Sequence, residues 1–177
     1  MEMLLLGIAA LIAWPLHRQV FEGFFWRSTD LLWGSIAALP MLLGFWWLLK
    51  SQARFAANIR RFFELALRPT FGQWSLAQLA IISFLAGVCE EVLFRGVLQA
   101  GLSKVTAPWT GLAAASVAFG LAHPISKQYI VAAAIVGFFL GWLYLVTGNL
   151  LAPVTAHAVY DFCALTWFLR LHRGDPR

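Results

Sequence analysis

The sequence predicts an all-α polytopic membrane protein, a bundle of about six transmembrane helices. Of its 177 residues, 61% are hydrophobic and only 12% are charged, whereas soluble domains carry about 25% charged residues. The apolar residues are gathered into runs, and about 20 such residues in a helix cross a bilayer. One helical bundle uses nearly all of this length, so we expect a single domain over residues 1–177.

Six apolar runs are the predicted spans. They lie at residues 3–16, 31–49, 75–100, 109–123, 128–146 and 150–171. The first run is short for a crossing. Connections are expected at residues 103–108 and at residues 147–149, a tight turn that makes the fifth and sixth spans antiparallel neighbours. Gly137 and Gly141 are four residues apart in the fifth span, a spacing that lets helices approach closely.

Residues 50–72 differ from the runs on either side, because they carry five basic side chains against the single acid Glu64. Apolar residues recur among them at helical spacing, namely Phe55, Ile59, Phe62, Phe63 and Ala66. An amphipathic helix of this kind lies along a membrane surface. We expect an interfacial position for this basic segment.

Basic residues are unevenly shared between the two sides of the predicted bundle. With six alternating spans, one side holds Lys50, Arg54, Arg60, Arg61, Arg68, Lys127, Arg170, Arg173 and Arg177, and the other holds Arg18, Arg27 and Lys104. The positive-inside rule then places both termini in the cytoplasm, in a multi-pass protein of the cell membrane. The net charge of +5 is therefore a topology signal, and we expect no nucleic acid partner.

Three ionisable side chains, Glu90, Glu91 and Arg95, interrupt the third apolar run. Inside a bilayer each costs about 2.5–3.5 kcal/mol, so such charges usually face a protein interior or a wet cavity. Residues four apart share a helix face, which pairs Glu91 with Arg95. Glu90 points about 100° away from Glu91 and is predicted to face a cavity.

Three further ionisable residues, His123, His157 and Asp161, lie in the later runs. At 1.5 Å per residue, Glu90 lies roughly 16 Å, His123 roughly 21 Å and His157 roughly 12 Å from the same face of the membrane. These depths converge near the middle of the bilayer, so three helices can bring a carboxylate and two imidazoles together. His157 and Asp161 are four apart and can pair.

Such a set of groups suits hydrolysis of an amide without a covalent nucleophile. A carboxylate held out of bulk water can act as a general base towards water. One imidazole can orient that water or pass on its proton, and a second can donate a hydrogen bond to a carbonyl oxygen as it becomes an oxyanion. The same groups could instead hold zinc, although the sequence has no HExxH motif.

Three motifs resemble those of a known family. Residues 90–95 match EExxxR, residues 119–123 match FxxxH and residues 157–161 match HxxxN/D. In this order on three membrane helices, they resemble the CPBP family, the CAAX-processing proteases of the Rce1 type and their bacterial relatives. The resemblance covers about residues 76–168, which we take as the catalytic core.

The resemblance implies a glutamate-dependent intramembrane endopeptidase, a hydrolase for which we favour a site without a cofactor. Glu90 and His123 would activate water, and His157 with Asp161 would form the oxyanion site. The substrate would be a membrane-anchored protein or peptide, processed at a CAAX-type tail or at a sorting signal. The lipid bilayer itself would be the other partner.

The supporting residues follow from the same resemblance. Glu91 and Arg95 would be the ion pair beside the site. This sequence has Asp161 where the eukaryotic enzymes carry Asn. Because an ionised Asp cannot donate to an oxyanion, we expect Asp161 to accept from His157 and to set the tautomer of that ring. A divalent metal such as zinc is the alternative to a cofactor-free site.

Other functions could use the same residues differently. A non-catalytic membrane binding or immunity-type protein would tolerate Glu90→Gln, and a haem-binding electron carrier would use His123 and His157 as axial ligands. A proton-coupled transporter has no internal repeat to support it. Cys89 and Cys163 lie within apolar runs and are interpreted as buried thiols.

Overall fold

The computed structural model describes residues 23–171, where every regular element is a helix. We name the helices α1 (Ser28–Lys50), α2 (Arg54–Phe62, continued by Phe63–Leu67 and Arg68–Phe71), α3 (Leu76–Glu91, continued by Val92–Gln99 and Ala100–Val105), α4 (Pro108–Leu121), α5 (Lys127–Thr147) and α6 (Leu151–Thr166, continued by Trp167–Leu171). The all-α fold class is confirmed. The predicted first span at residues 3–16 lies outside the described residues.

The helices α1, α3 and α5 are long and apolar enough to cross a membrane. Helix α4 is apolar but has only 14 residues. At 1.5 Å per residue it is about 21 Å long, which is less than a hydrocarbon core of about 30 Å. The chain is an all-α membrane protein in which one predicted span is a shorter helix.

Two predicted boundaries are wrong. Helix α4 ends at Leu121 rather than at His123, because His123 precedes Pro124 and the residue before a proline is disfavoured in the α conformation. Helix α3 continues to Val105, since nothing before the next proline breaks it. The connection expected at residues 103–108 is correspondingly shorter.

Helix α6 packs against both α1 and α3. Its small residues Ala152 and Ala156 are fully buried. At Gly87 of α3, a Cβ atom would lie 3.0 Å from the backbone nitrogen of Ala158 and 3.1 Å from the carbonyl oxygen of Val154. Glycine at this position is what lets α3 approach α6 so closely. Helix α4 packs against α5 and against the second half of α3.

Helix α2 covers one end of α1 and α6. Its apolar face packs Ile59 and Phe63 into a cluster with residues of both helices. Arg60 donates hydrogen bonds to the carbonyl oxygens of Leu48 (2.8 Å) and Ser51 (2.6 Å), which satisfies acceptors at the end of α1. The basic segment is therefore helical, and its position at the membrane surface stays a prediction.

The connection between α5 and α6 is a tight turn, as predicted. Gly148 takes a left-handed conformation with φ of 61°, which suits glycine. The next residue, Asn149, is fully buried. Its amide accepts from the N–H groups of Phe25 (3.0 Å) and Leu151 (3.1 Å). It donates to the carbonyl oxygen of Phe25 (2.7 Å) and to Asp30 Oδ2 (2.6 Å). We call these contacts the Asn149 clamp.

Candidate active site

The four residues predicted to carry the chemistry line one cavity of about 470 Å³, namely Glu90, His123, His157 and Asp161. The rest of its wall is chiefly apolar and comes largely from α1, α2 and α5. Two wall residues, Trp47 on α1 and Ile135 on α5, are 54% and 65% exposed. The cavity is therefore lined in part by residues of α1 and α5 that are also exposed on the surface of the bundle.

Glu90 and His123 form the first pair in the cavity. Oε2 of the buried Glu90 lies 3.6 Å from Nε2 of His123, and His123 Nδ1 lies 2.8 Å from the carbonyl oxygen of Phe119. A carbonyl oxygen only accepts, so Nδ1 carries the ring proton and Nε2 of the neutral ring presents a lone pair towards Glu90. The separation exceeds the range of about 2.7–3.2 Å for a direct hydrogen bond. One water molecule could bond both atoms.

Glu91 joins two helices through a single oxygen atom. Its carboxylate is fully buried, and Oε1 accepts from Arg95 Nη1 (3.0 Å) and from His157 Nδ1 (2.8 Å). The pair expected at i and i+4 on α3 is present, and it extends to the histidine of α6. A buried carboxylate with two such donors is held firmly, because breaking a buried charge pair is costly.

His157 is oriented by α3 rather than by its own helix. Its Nε2 lies 3.5 Å from Asp161 Oδ2, whereas its Nδ1 lies 2.8 Å from Glu91. The structure thus adds Glu91 as a second and closer carboxylate for this ring, and the role of Asp161 in setting the tautomer stays a prediction. The close approach of α3 and α6 at Gly87 brings Glu91 within reach.

A second polar contact joins α3 to α5. Arg95 Nη2 donates to the carbonyl oxygen of Gly137 (2.8 Å), and Gln99 Nε2 donates to that of Gly141 (3.0 Å). Two donors four residues apart thus meet two carbonyl groups four residues apart. Gln99 was not among the predicted site residues. Its spacing from Arg95, matched by the spacing of the two glycines, is the signal that could have identified it.

The Phe119 ring lies among the charged groups of the site. Its centroid is 4.8 Å from that of His123 and 6.0 Å from that of His157. The guanidinium carbon of Arg95 lies 4.7 Å from the same ring centroid, a cation–π contact. A Cβ atom on Gly137 would lie 3.1 Å from Phe119, so this glycine makes room for the ring. The prediction that Phe119 packs around the site fits its 3% exposure.

The ionisable groups of the cavity form two pairs, Glu90 with His123 and His157 with Asp161. Within residues 23–171, no three His, Cys, Asp or Glu side chains are grouped so as to hold a metal ion. The cysteines take no part in the pairs. Cys89 is buried as predicted, and Cys163 is only half-buried.

A family model described as type II CAAX prenyl endopeptidase, Rce1-like, matches residues 72–163. This is just over half of the chain and contains every residue of the two cavity pairs. The chain belongs to the Rce1-like family. The CAAX-protease resemblance carried by the three sequence motifs is thereby confirmed, and the family is one of membrane endopeptidases.

One relative in the Rce1-like family is the uncharacterized protein YpbD of Bacillus subtilis (strain 168). It is 35% identical over 97 residues, which are 53% of this chain and 47% of the relative. The chain thus matches about half the length of that relative. No solved structure matches this chain.

Proposed function

We propose that this chain is an intramembrane endopeptidase in which Glu90 activates a water molecule. The observation that carries this proposal is the Glu90–His123 pair, which faces the cavity while Phe119 holds the proton of His123 on the far nitrogen. Membership of the Rce1-like family supports the reaction class. The burial of Glu90 supports its role as a base, since a carboxylate shielded from bulk water binds a proton more readily.

In the proposed reaction, a water molecule bonded to Glu90 and to His123 Nε2 attacks the carbonyl carbon of the scissile bond. Glu90 takes a proton from that water as the new C–O bond forms, and the carbonyl oxygen becomes an oxyanion. Glu90 then returns the proton to the amide nitrogen as the C–N bond breaks. The products are a carboxylic acid and an amine, and no further reactant is consumed.

In the proposed site His157 and Asp161 lie beside the carbonyl oxygen, and His157 donates to that oxygen from Nε2 when it is an imidazolium. Glu91 and Arg95 are the supporting pair, because Glu91 holds Nδ1 of His157 and so directs Nε2 of that ring into the cavity. A misplacement of this ring by about 1 Å is enough to slow such a reaction strongly. Glu91 therefore acts through His157.

The proposed substrate is a membrane-anchored protein or peptide, cleaved at a CAAX-type tail or at a sorting signal. The apolar wall of the cavity, which includes exposed residues of α1 and α5, supports a substrate that arrives within the bilayer. The distribution of basic residues supports a cell-membrane location with both termini in the cytoplasm. The family supports a membrane-associated substrate.

A metal-dependent version of the same protease is the second candidate. In their neutral forms both cavity histidines present Nε2 lone pairs, and both carboxylates present oxygen atoms. Imidazole nitrogen and carboxylate oxygen are ligands that zinc accepts. The two pairs would have to converge around the ion, and the absence of a group of three within residues 23–171 favours the metal-free form.

The experiment that tests the proposal compares purified wild type with Glu90→Gln on a panel of prenylated and helix-anchored peptides, with and without a chelator. We expect kcat/KM to fall by about 10²–10⁴-fold in Glu90→Gln, because the general base is lost. Glu64→Gln is the matched control. Its carboxylate lies on α2 in a half-exposed pair with Arg68, and we expect it to cleave at the wild-type rate.

The chelator separates the two versions of the protease. Loss in Glu90→Gln without an effect of the chelator supports glutamate-activated water. Loss on chelation that added zinc restores places the same residues in a metal site. Cleavage by Glu90→Gln at the wild-type rate contradicts the protease proposal and favours the non-catalytic binding protein.

A further inference from the structure

The predicted site presents only hydrogen-bond acceptors to the cavity when its histidines are neutral. Nδ1–H of His123 is taken by the carbonyl of Phe119, and Nδ1–H of His157 is taken by Glu91. Each neutral ring then has a lone pair and no proton at Nε2. Carboxylates accept as well, so Glu90 and Asp161 add no donor.

Hydrolysis of a peptide bond in this cavity requires a hydrogen-bond donor to the carbonyl oxygen. The carbonyl oxygen gains negative charge as water adds, and enzymes stabilise it with hydrogen-bond donors fixed in advance. An acceptor-only wall would repel that oxygen. Asp161, the partner that the resemblance assigned to the oxyanion site, is a carboxylate and supplies none while it is ionised. The donor has to come from His157 as an imidazolium or from another side chain.

Two of the described cavity-lining residues carry a hydroxyl group, Tyr129 on α5 and Tyr160 on α6. Within residues 23–171, neither hydroxyl makes a hydrogen bond to a protein group, although both rings are packed. A packed tyrosine normally finds a partner for its hydroxyl. These two phenols are therefore hydroxyl donors in the cavity wall that a substrate oxygen could engage.

Tyr129 is the one of these two tyrosines whose ring contacts a site histidine within the described residues. Its ring centroid lies 6.2 Å from that of His123, and Phe62 and Phe63 of α2 back it at 5.6 and 6.3 Å. Its backbone N–H donates to Ser126 Oγ (3.1 Å), which caps the start of α5. Tyr129 is thus rigidly held beside the atoms expected to position water.

Tyr160 has a different environment. Its ring packs edge-on against Phe45 of α1, with the centroids 6.3 Å apart. It shares the cavity and the chemistry of Tyr129 without the contact to His123, which makes it a matched comparison.

We propose that Tyr129 is a further catalytic residue, whose hydroxyl donates a hydrogen bond to the scissile carbonyl oxygen as that oxygen becomes an oxyanion. This inference rests on the proposed endopeptidase function. The phenol keeps its proton throughout the reaction, so the proton transfers of the proposed mechanism are unchanged. The hydrogen bond strengthens in the transition state, because the acceptor gains charge there.

The test compares Tyr129→Phe with Tyr160→Phe on a peptide that the wild type cleaves. Phenylalanine keeps the ring that packs against Phe62 and His123, and it removes only the hydroxyl. We expect kcat of Tyr129→Phe to fall by about 10²-fold, the effect of losing one oxyanion donor, with KM changed by less than about twofold. Tyr160→Phe is expected to stay within about threefold of wild type in both constants.

A transition-state mimic gives an independent measurement. A peptide aldehyde forms a hydrate that resembles the tetrahedral intermediate, and Tyr129→Phe is expected to weaken its binding by about the same factor as kcat. Equal kcat in Tyr129→Phe and wild type, or an equal loss in Tyr160→Phe, overturns the assignment. A merely structural role would lower the melting temperature without this parallel loss.

A second variant covers the case in which Tyr129→Phe does not fold. Tyr129→3-fluorotyrosine keeps the hydroxyl and nearly the same shape, but its phenol ionises at lower pH. A more acidic phenol is a stronger hydrogen-bond donor, so kcat of this variant is expected to equal or exceed that of wild type. A fall of about 10²-fold in kcat of the folded variant overturns the inference.

Failure of this inference is distinguishable from failure of the proposed function. If Glu90→Gln is inactive while Tyr129→Phe cleaves like wild type, the endopeptidase stands and Tyr129 is not its oxyanion donor. If Glu90→Gln cleaves like wild type, the proposed function fails and this inference fails with it.

Discussion

Two buried polar regions of this protein differ in how closely their polar groups are bonded to other protein atoms. In the Asn149 clamp, both lone-pair sites and both N–H groups of one amide are bonded to protein atoms at 2.6–3.1 Å. In the cavity, the two facing pairs stand 3.6 Å apart at Glu90 and His123 and 3.5 Å apart at His157 and Asp161. The side-chain amide of the Asn149 clamp is bonded on all sides by protein atoms, whereas the two pairs of the site face the cavity.

The difference separates stability from chemistry. A buried polar group that is fully bonded within the protein holds elements together, because leaving it unbonded costs about 1–3 kcal/mol. Polar groups that face a cavity at longer distances are available to water or to a substrate. Glu91 has features of both regions. It is fully buried and bonded to Arg95, and it also directs His157 into the cavity.

Glu91→Gln should give the largest effect, because Glu91 both stabilises the protein through its pair with Arg95 and orients His157 in the cavity. The neutral amide leaves the charge of Arg95 buried without its partner, and we expect the free energy of unfolding to fall by about 3–5 kcal/mol. Cleavage per folded molecule should also fall, since the neutral amide oxygen is a weaker acceptor for His157 Nδ1–H and holds the ring less firmly. Unfolding in mild detergent with increasing denaturant measures the first effect, and kcat measures the second.

The control for that variant is Glu64→Gln. It makes the same substitution in another Glu–Arg pair at i and i+4, but there the two side chains are 35% and 32% exposed. We expect less than about 1 kcal/mol from this half-exposed pair. Equal losses in the two variants would show that burial is not what makes Glu91 important.

Asn149→Ala should give the next largest effect and confine it to stability. It removes all four hydrogen bonds of the clamp, and we expect a loss of about 1–3 kcal/mol in the free energy of unfolding. The value of kcat/KM per folded molecule should stay at the wild-type level. Asn58→Ala on the exposed side of α2 is the matched control, expected within about 0.5 kcal/mol. A selective fall in kcat would contradict the division between clamp and cavity.

Asp161→Asn should give the smallest effect on stability, under about 1 kcal/mol, because the carboxylate is 27% exposed. Its effect on activity tests whether the cavity is short of hydrogen-bond donors. Asparagine brings an N–H donor into the cavity, so in a Tyr129→Phe background it should restore kcat by about threefold to tenfold, the worth of one hydrogen bond of about 1 kcal/mol. Kinetics of the single and double variants measure this. No recovery would argue against a shortage of donors.

Much of the helical framework could be predicted from local sequence. The spans expected at residues 31–49 and 128–146 agree with α1 and α5 to within three residues, because apolar length is a property of consecutive residues. The Glu91–Arg95 pair could be predicted for the same reason, since four residues always return a helix to the same face. The end of α4 before His123 differs from the prediction, because Pro124 disfavours the α conformation at the residue before it.

The sequence by itself determined an α-helical membrane protein, its family, and which charged residues had to be sheltered from lipid. Only the tertiary structure decided which neighbours those residues have. The contact of His157 with Glu91, the bonds from Arg95 and Gln99 to α5, and the position of Tyr129 beside His123 all join different helices. Such contacts depend on how closely and at what rotation helices pack, which no periodicity within one helix specifies.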